Sequence, residues 1–104
     1  MLIAVIGDYL SPEYQVLLEK VKSVKQDEAI LDLSRHQKGS WNNMLKARFA
    51  DIASAHEVII GTDWHNDIDA KRDITHAQSL HKDCFVYLRS EGVFRPFPEY
   101  AERV

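Results

Sequence analysis

The sequence predicts an α/β fold: a mostly parallel sheet with helices packed against it. Three features carry that expectation. Short continuous apolar runs recur along the chain, stretches with apolar residues at helical spacing separate them, and helix-capping residues stand at the junctions. Continuous apolar runs suit strands buried on both faces, as in a parallel sheet. Regular alternation of strand and helix implies right-handed βαβ units.

Leu2-Ile3-Ala4-Val5-Ile6, ending at Gly7-Asp8, is the first run. It has no basic leader and no small-residue cleavage site, so a strand is expected rather than a signal peptide. Ser11-Pro12-Glu13 then reads as a helix start: Ser11 can cap, Pro12 suits the first helical position, and Glu13 favours the positive end of the dipole. Tyr14, Leu17, Leu18, Val21 and Val24 follow on one face. Ala29-Ile30-Leu31-Asp32-Leu33 is a second strand. Gly39-Ser40 breaks the pattern and offers a cap, after which Trp41, Leu45, Phe49 and Ile52 recur at helical spacing, with Met44 and Ala53 alongside. Trp41 is expected in the core. Val58-Ile59-Ile60, stopped by Gly61, is the third strand. Asn66 or Asp67 can cap a third helix that turns Ala70, Ile74, Ala77 and Leu80 inward, and Cys84-Phe85-Val86-Tyr87-Leu88 is the fourth strand. From Arg89 the chain carries Pro96 and Pro98 and no clear period, so residues 89–104 are expected to form an irregular arm, loosely ordered or docked on a neighbouring subunit. The sheet then has four strands, or five at most.

Bulk properties narrow the class. With 104 residues, 45% hydrophobic and 28% charged, the chain fits one globular domain, residues 1–104. No apolar run approaches the length of a bilayer span. The net charge is −3, the charges are dispersed, and the densest cluster, Asp63 to Asp73, is acidic. A nucleic-acid partner or an anionic membrane calls for a basic face, and neither is expected here. Cys84 is the single cysteine and cannot form an internal disulfide. A cytoplasmic protein is the expectation. Neither GxGxxG nor GxxxxGK[ST] occurs, and no cofactor is expected.

In open parallel sheets, ligands bind beyond the carboxyl ends of the strands. Three segments fall there: Gly7-Asp8-Tyr9, Ser34-Arg35-His36, and the polar stretch Gly61-Thr62-Asp63-Trp64-His65-Asn66-Asp67-Ile68-Asp69. Asp69, Asp73 and His76 are spaced i, i+4, i+7 and share one helical face, with Asp67 near the same end. Several carboxylates beside a tryptophan suit a sugar or nucleoside, because the indole offers a stacking surface and carboxylates accept hydroxyl bonds or do acid–base and nucleophilic work. The plainer reading is that Asp67 caps the helix, Asp69 favours its dipole, and Asp73 and His76 are solvated. Ser34-Arg35-His36 reads as a solvated turn, and Cys84 as a small buried hydrophobe.

The register Asp67-Ile68-Asp69-Ala70-Lys71-Arg72-Asp73, with Ala77 following and with Met44 to Gly61 before it, resembles the nucleoside 2-deoxyribosyltransferase-like family. At motif level the resemblance covers about residues 44 to 86. It implies a flavodoxin-like, Rossmann-like three-layer sandwich that acts on the N-glycosidic bond of a deoxyribonucleoside, as a deoxyribosyltransferase or N-glycosidase. Asp73 stands at the position of the family's nucleophilic glutamate, Asp67 where an aspartate handles the base, and Tyr9 where it can orient the nucleophile. Gly7, Asp8, Trp64, His65 and Asp69 would then meet the substrate. An aspartate at position 67 favours a nucleoside over a nucleotide, and the resemblance implies at least a homodimer. Two positions depart from the pattern. Asp73 is one carbon shorter than glutamate, and Asp69 replaces a glycine that lets substrate approach the backbone. Either change alters the substrate or removes the activity.

Two other classes stay open. Asp63, His65, Asp67, Asp69 and His76 are ligand types for a divalent metal, although the spacing is not that of an EF-hand loop. A non-catalytic ligand- or protein-binding module would instead use exposed aromatics such as Trp64, Phe94, Phe97 and Tyr100.

Overall fold

The structure is a computed structural model that describes residues 1–36 and 39–97. Strand β1 (Leu2–Ile6) leads to helix α1 (Pro12–Val24), β2 (Ala29–Asp32), a 3₁₀ turn (Leu33–Arg35) and α2 (Trp41–Ser54). Then come β3 (Glu57–Ile60), a second 3₁₀ turn (Trp64–Asn66), α3 (Ile68–Ser79), β4 (Asp83–Leu88) and β5 (Val93–Pro96). The strands form one sheet in the order β2-β1-β3-β4-β5. All neighbours are parallel except β4 and β5. This is the flavodoxin-like order, with an antiparallel last strand.

Connection handedness fixes the layers. The β1-α1-β2 unit steps one way along the sheet, and the β2-α2-β3 and β3-α3-β4 units step the other way. Right-handed crossovers running in opposite directions place their helices on opposite faces. Helix α1 therefore covers one face, and α2 and α3, packed on each other, cover the second. The result is the three-layer sandwich expected from the sequence. Val5, Ile59 and Ile3 of the sheet, and Ala4, Ile6, Val58, Ile60 and Val86 of its alternate positions, are all fully buried.

The helix starts follow the capping chemistry. Ser11 accepts from the Glu13 N–H with Pro12 at the first helical position, and Ser40 accepts from the Asn43 N–H. Asp67, one of the two residues expected to cap α3, accepts from the Asp69 N–H. Helix α3 ends with His81 at φ 58°, a left-handed residue that lets the Lys82 N–H reach the Ala77 carbonyl. Tyr14 pins three elements: its hydroxyl donates to the Val5 carbonyl at 3.0 Å and accepts from the Leu33 N–H at 3.2 Å.

Several expectations change. The tail is not irregular from Arg89: Leu88 and Val93 pair across a tight turn in which Gly92 sits at φ +66°, and Val93–Pro96 forms the antiparallel edge strand. A proline is tolerated there because an edge strand has a side without ladder bonds. Pro98, Tyr100 and the rest of the expected arm lie outside the described residues. Trp41 is not in the core; as the first residue of α2 it is 43% exposed. Val24 and Leu80 sit at helix ends and are also exposed, and the second strand stops at Asp32, which caps the 3₁₀ turn through the Ser34 N–H. Ser34-Arg35-His36 is not simply solvated. Arg35 donates to both oxygens of Asp51 in α2, and His36 Nε2 lies 2.7 Å from Asp51 Oδ2.

Candidate functional site

The carboxyl ends of β1 and β3 form the crevice where the strand order reverses. Gly7 and Gly61 end these strands, and both are buried. A Cβ on Gly61 would lie 2.9 Å from Leu17 Cδ2 and from Asp63 Oδ1; one on Gly7 would lie 3.2 Å from the Tyr14 ring. Both glycines let α1 and the Asp63 turn close onto the sheet.

Two distinct places result, one on each side of the sheet. On the α2–α3 side, Tyr9, Arg48 and Asp73 converge. The Tyr9 hydroxyl donates to Asp73 Oδ2 at 2.5 Å, and Arg48 Nε donates to the same oxygen at 2.8 Å. The Arg48 guanidinium also lies over the Tyr9 ring, 5.4 Å from its centroid. Asp73 is 0%, Arg48 1% and Tyr9 6% exposed. Burial pushes the Asp73 carboxyl up to about 6, while the Tyr9 hydroxyl and Arg48 pull it down. Burial and the Asp73 charge push the Tyr9 hydroxyl far above its ordinary range, so it stays protonated and donates. Arg48 Nη2 lies 3.5 Å from Asp69 Oδ1, an ion pair without hydrogen-bond geometry.

On the α1 side, a cavity of about 760 Å³ opens at the ends of β3 and β4. Leu17 and Val16 of α1, Gly61 and Tyr87 form its apolar wall; Thr62, Asp63 and Arg89, with Glu13, Gln15, Glu19, Lys20 and Ser23 of α1, are its polar groups. Among the described residues no helix follows β4 to cover this face. Arg89 closes one side by donating to Glu13 at 2.8 Å, with both residues largely exposed.

The residues expected at the site divide between these places. Tyr9 and Asp73, expected as orienting group and nucleophile, are hydrogen-bonded to each other. Asp67 does not join them. It caps α3, and burial, with the charges of Asp69 and Asp8, pushes its carboxyl up. Asp69 accepts from the Trp41 indole at 3.3 Å. Asp8 is half-buried and turns its carbonyl to the Ser11 N–H. Trp64 is half-buried, its ring edge-on to Phe97 and His65, and its Nε1 is buried without a hydrogen-bond partner among the described residues. His65 is exposed.

Asp69, Asp73 and His76 do share one face of α3, but that face looks at α2. Asp73 is buried rather than solvated, and His76 stacks on Phe49 at 3.9 Å. Of the aromatics considered for a partner, Trp64, Phe94 and Phe97 pack against the core. Cys84 is buried, and burial pushes its thiol up to about 11. Among the described residues no three His, Cys, Asp or Glu side chains converge to hold a metal.

Sequence reasoning missed Arg48, although a signal was present. Positions 41, 45, 48 and 52 fall on one helical stripe, so an arginine at 48 stands among apolar residues and needs a buried carboxylate. It also missed the cavity residues of α1 and Arg89, because a cavity assembled from separate elements has no local motif.

No family model and no curated protein matches this chain.

Proposed function

We propose that the protein binds an uncharged nucleoside-like molecule in the cavity between α1 and the ends of β3 and β4, and that it does so without cleaving it. One contrast carries this reading: the cavity beside Gly61 and Asp63 is open, whereas Asp73 is sealed at 0% exposure by Tyr9 and Arg48. A volume of about 760 Å³ is in the range of small-ligand sites. The Leu17, Val16 and Tyr87 wall suits the flat face of a base. Asp63, Glu13 and Thr62 suit sugar hydroxyls, since a carboxylate accepts what a hydroxyl donates. The lining sets the carboxylates of Glu13, Glu19 and Asp63 against the cations Lys20 and Arg89, and Arg89 is already paired with Glu13, so the lining offers a phosphate no net positive charge. No helix among the described residues is long and apolar enough to cross a membrane.

Titration calorimetry with a panel of ribo- and deoxyribonucleosides, and the matching monophosphates as controls, tests this. Nucleosides are expected to bind more tightly than their monophosphates. Asp63→Asn is expected to weaken nucleoside binding about tenfold, the size of one charge-assisted hydrogen bond. Binding that is unchanged in Asp63→Asn, or a preference for the monophosphates, overturns the reading.

A second reading is favoured by one observation, the Tyr9 hydroxyl on Asp73. That pairing is the one the nucleophile of a glycosyl-transferring enzyme needs. For Asp73 to attack an anomeric carbon, Arg48 must swing away and open the space it now fills. Release of free base from a deoxyribonucleoside, lost in Asp73→Asn but kept in Asp63→Asn, would establish it over the binding-only reading.

A further inference from the structure

A second surface lies away from both places described above. Leu45 and Phe49 of α2, with Ile68, Lys71, Arg72 and Thr75 of α3, line an open groove of about 500 Å³ on the outer side of the helix pair. Its floor is apolar and accessible: Ile68 is 62% exposed, and Trp41, at the end of the same helix pair, is 43% exposed. Both are large residues left out of the core at one edge, where an apolar patch marks a contact surface. The charges are of one sign. Lys71 and Arg72 are exposed, and among the described residues no carboxylate lines the groove and neither cation is ion-paired. Arg72 rests on the Trp41 ring, 4.7 Å from its centroid, which holds its guanidinium beside the apolar strip. The nearby acid, Asp69, is turned inward to Trp41 Nε1 and Arg48.

We propose that this groove docks an acidic amphipathic helix of a partner protein. Apolar residues at i, i+4 and i+7 of that helix would lie on Leu45, Phe49 and Ile68, with flanking carboxylates on Lys71 and Arg72. Helix α3 has 12 residues and so runs about 18 Å, enough for about three turns of a partner. Charge argues against a second copy of this chain as occupant: two copies related by a two-fold axis through the groove would bring Lys71 and Arg72 of each against those of the other.

The test pans a phage-displayed library of random helical-length peptides on the intact wild-type protein alone, and the selected peptides are then measured against the K71E/R72E variant. Peptides selected by the wild type should carry net negative charge and apolar residues at helical spacing. They should lose at least tenfold in affinity for K71E/R72E and for Ile68→Ser. Amide shifts in NMR should map their binding to Phe49, Ile68 and Thr75. The substituted residues Ile68, Lys71 and Arg72 are exposed, and unchanged circular dichroism melts will confirm that the variants fold. Selected peptides that are neutral or basic, or that bind K71E/R72E equally well, overturn the proposal. So does concentration-dependent dimerisation of the wild type that Ile68→Ser abolishes, because the occupant is then a second copy.

Discussion

Arg48 Nε and Asp73 Oδ2 meet at 2.8 Å across the α2–α3 contact, with the two side chains only 1% and 0% exposed. A pair so fully removed from water is held by mutual need. Each charge is costly to bury alone, and the pair as a whole gains little over well-packed apolar residues.

The single and double replacements should therefore behave differently. Arg48→Met leaves the Asp73 carboxylate buried with the Tyr9 hydroxyl as its remaining close donor, and should cost about 3–5 kcal/mol of stability. Asp73→Leu should cost about as much, by stranding the guanidinium. The double variant Arg48→Met, Asp73→Leu should recover most of that loss and lie within about 2 kcal/mol of the wild type. Urea midpoints of the four proteins give the coupling directly. Additive losses would mean that the pair is not the unit described here.

The same burial sets a pH dependence. The Asp73 carboxyl is pushed from its ordinary 3.8 up to about 6, so the folded chain holds this proton more tightly than the unfolded chain. Its contribution to stability is complete below the unfolded value of 3.8 and is lost as the pH rises through about 6. The difference amounts to on the order of 3 kcal/mol. Comparing the wild type with Asp73→Asn removes the contributions that do not depend on this carboxyl. The wild type's advantage over Asp73→Asn should be larger at about pH 4.5 than at about pH 7.5 in urea unfolding. The opposite trend would mean that Tyr9 and Arg48 outweigh desolvation and favour the ionised carboxyl in the fold.

What the sequence disclosed about this molecule follows from what periodicity can carry. Apolar runs and caps located β1 to β4 and the three helices because each pattern is local. β5 was hidden because it is four residues long, includes Arg95 and Pro96, and owes its place to a hairpin partner rather than to a pattern of its own. The spacing of Asp69, Asp73 and His76 correctly put them on one face of α3. Spacing cannot say what a face looks at, and here it looks at Arg48 and Phe49 rather than into open solvent. Trp41 has the period of a core residue, yet as the first residue of α2 it stays 43% exposed. Its indole is held instead by Asp69 and Arg72.

Gly61→Ala probes the cavity on the other side of the sheet. The new methyl would stand 2.9 Å from Leu17 Cδ2 and Asp63 Oδ1, both far ends of side chains that can turn away. The fold should absorb it for about 1–3 kcal/mol. The displaced Leu17 and Asp63 tips would then fill the cavity, so nucleoside affinity should fall at least about tenfold, more than Asp63→Asn alone achieves. Thermal melts and calorimetry on the same samples separate the two effects. Unchanged affinity with lowered stability would remove the Gly61 side of the cavity from the binding site.

Tyr9→Phe distinguishes binding from catalysis, because Tyr9 touches Asp73 but lies outside the walls of the α1-side cavity. Loss of the hydroxyl leaves Arg48 Nε as the only close donor to Asp73 among the described residues. The carboxyl pKa should rise further, since the Tyr9 bond is the largest influence lowering it, and stability should drop by about 1–3 kcal/mol. If the protein only binds its ligand, calorimetric affinity in Tyr9→Phe should match the wild type once both are measured well below their melting temperatures. If Asp73 is instead a working nucleophile, its orientation depends on that hydroxyl. Base release should then fall about a hundredfold while nucleoside affinity holds, the signature of a group that acts on the reacting carboxylate and not on ground-state binding.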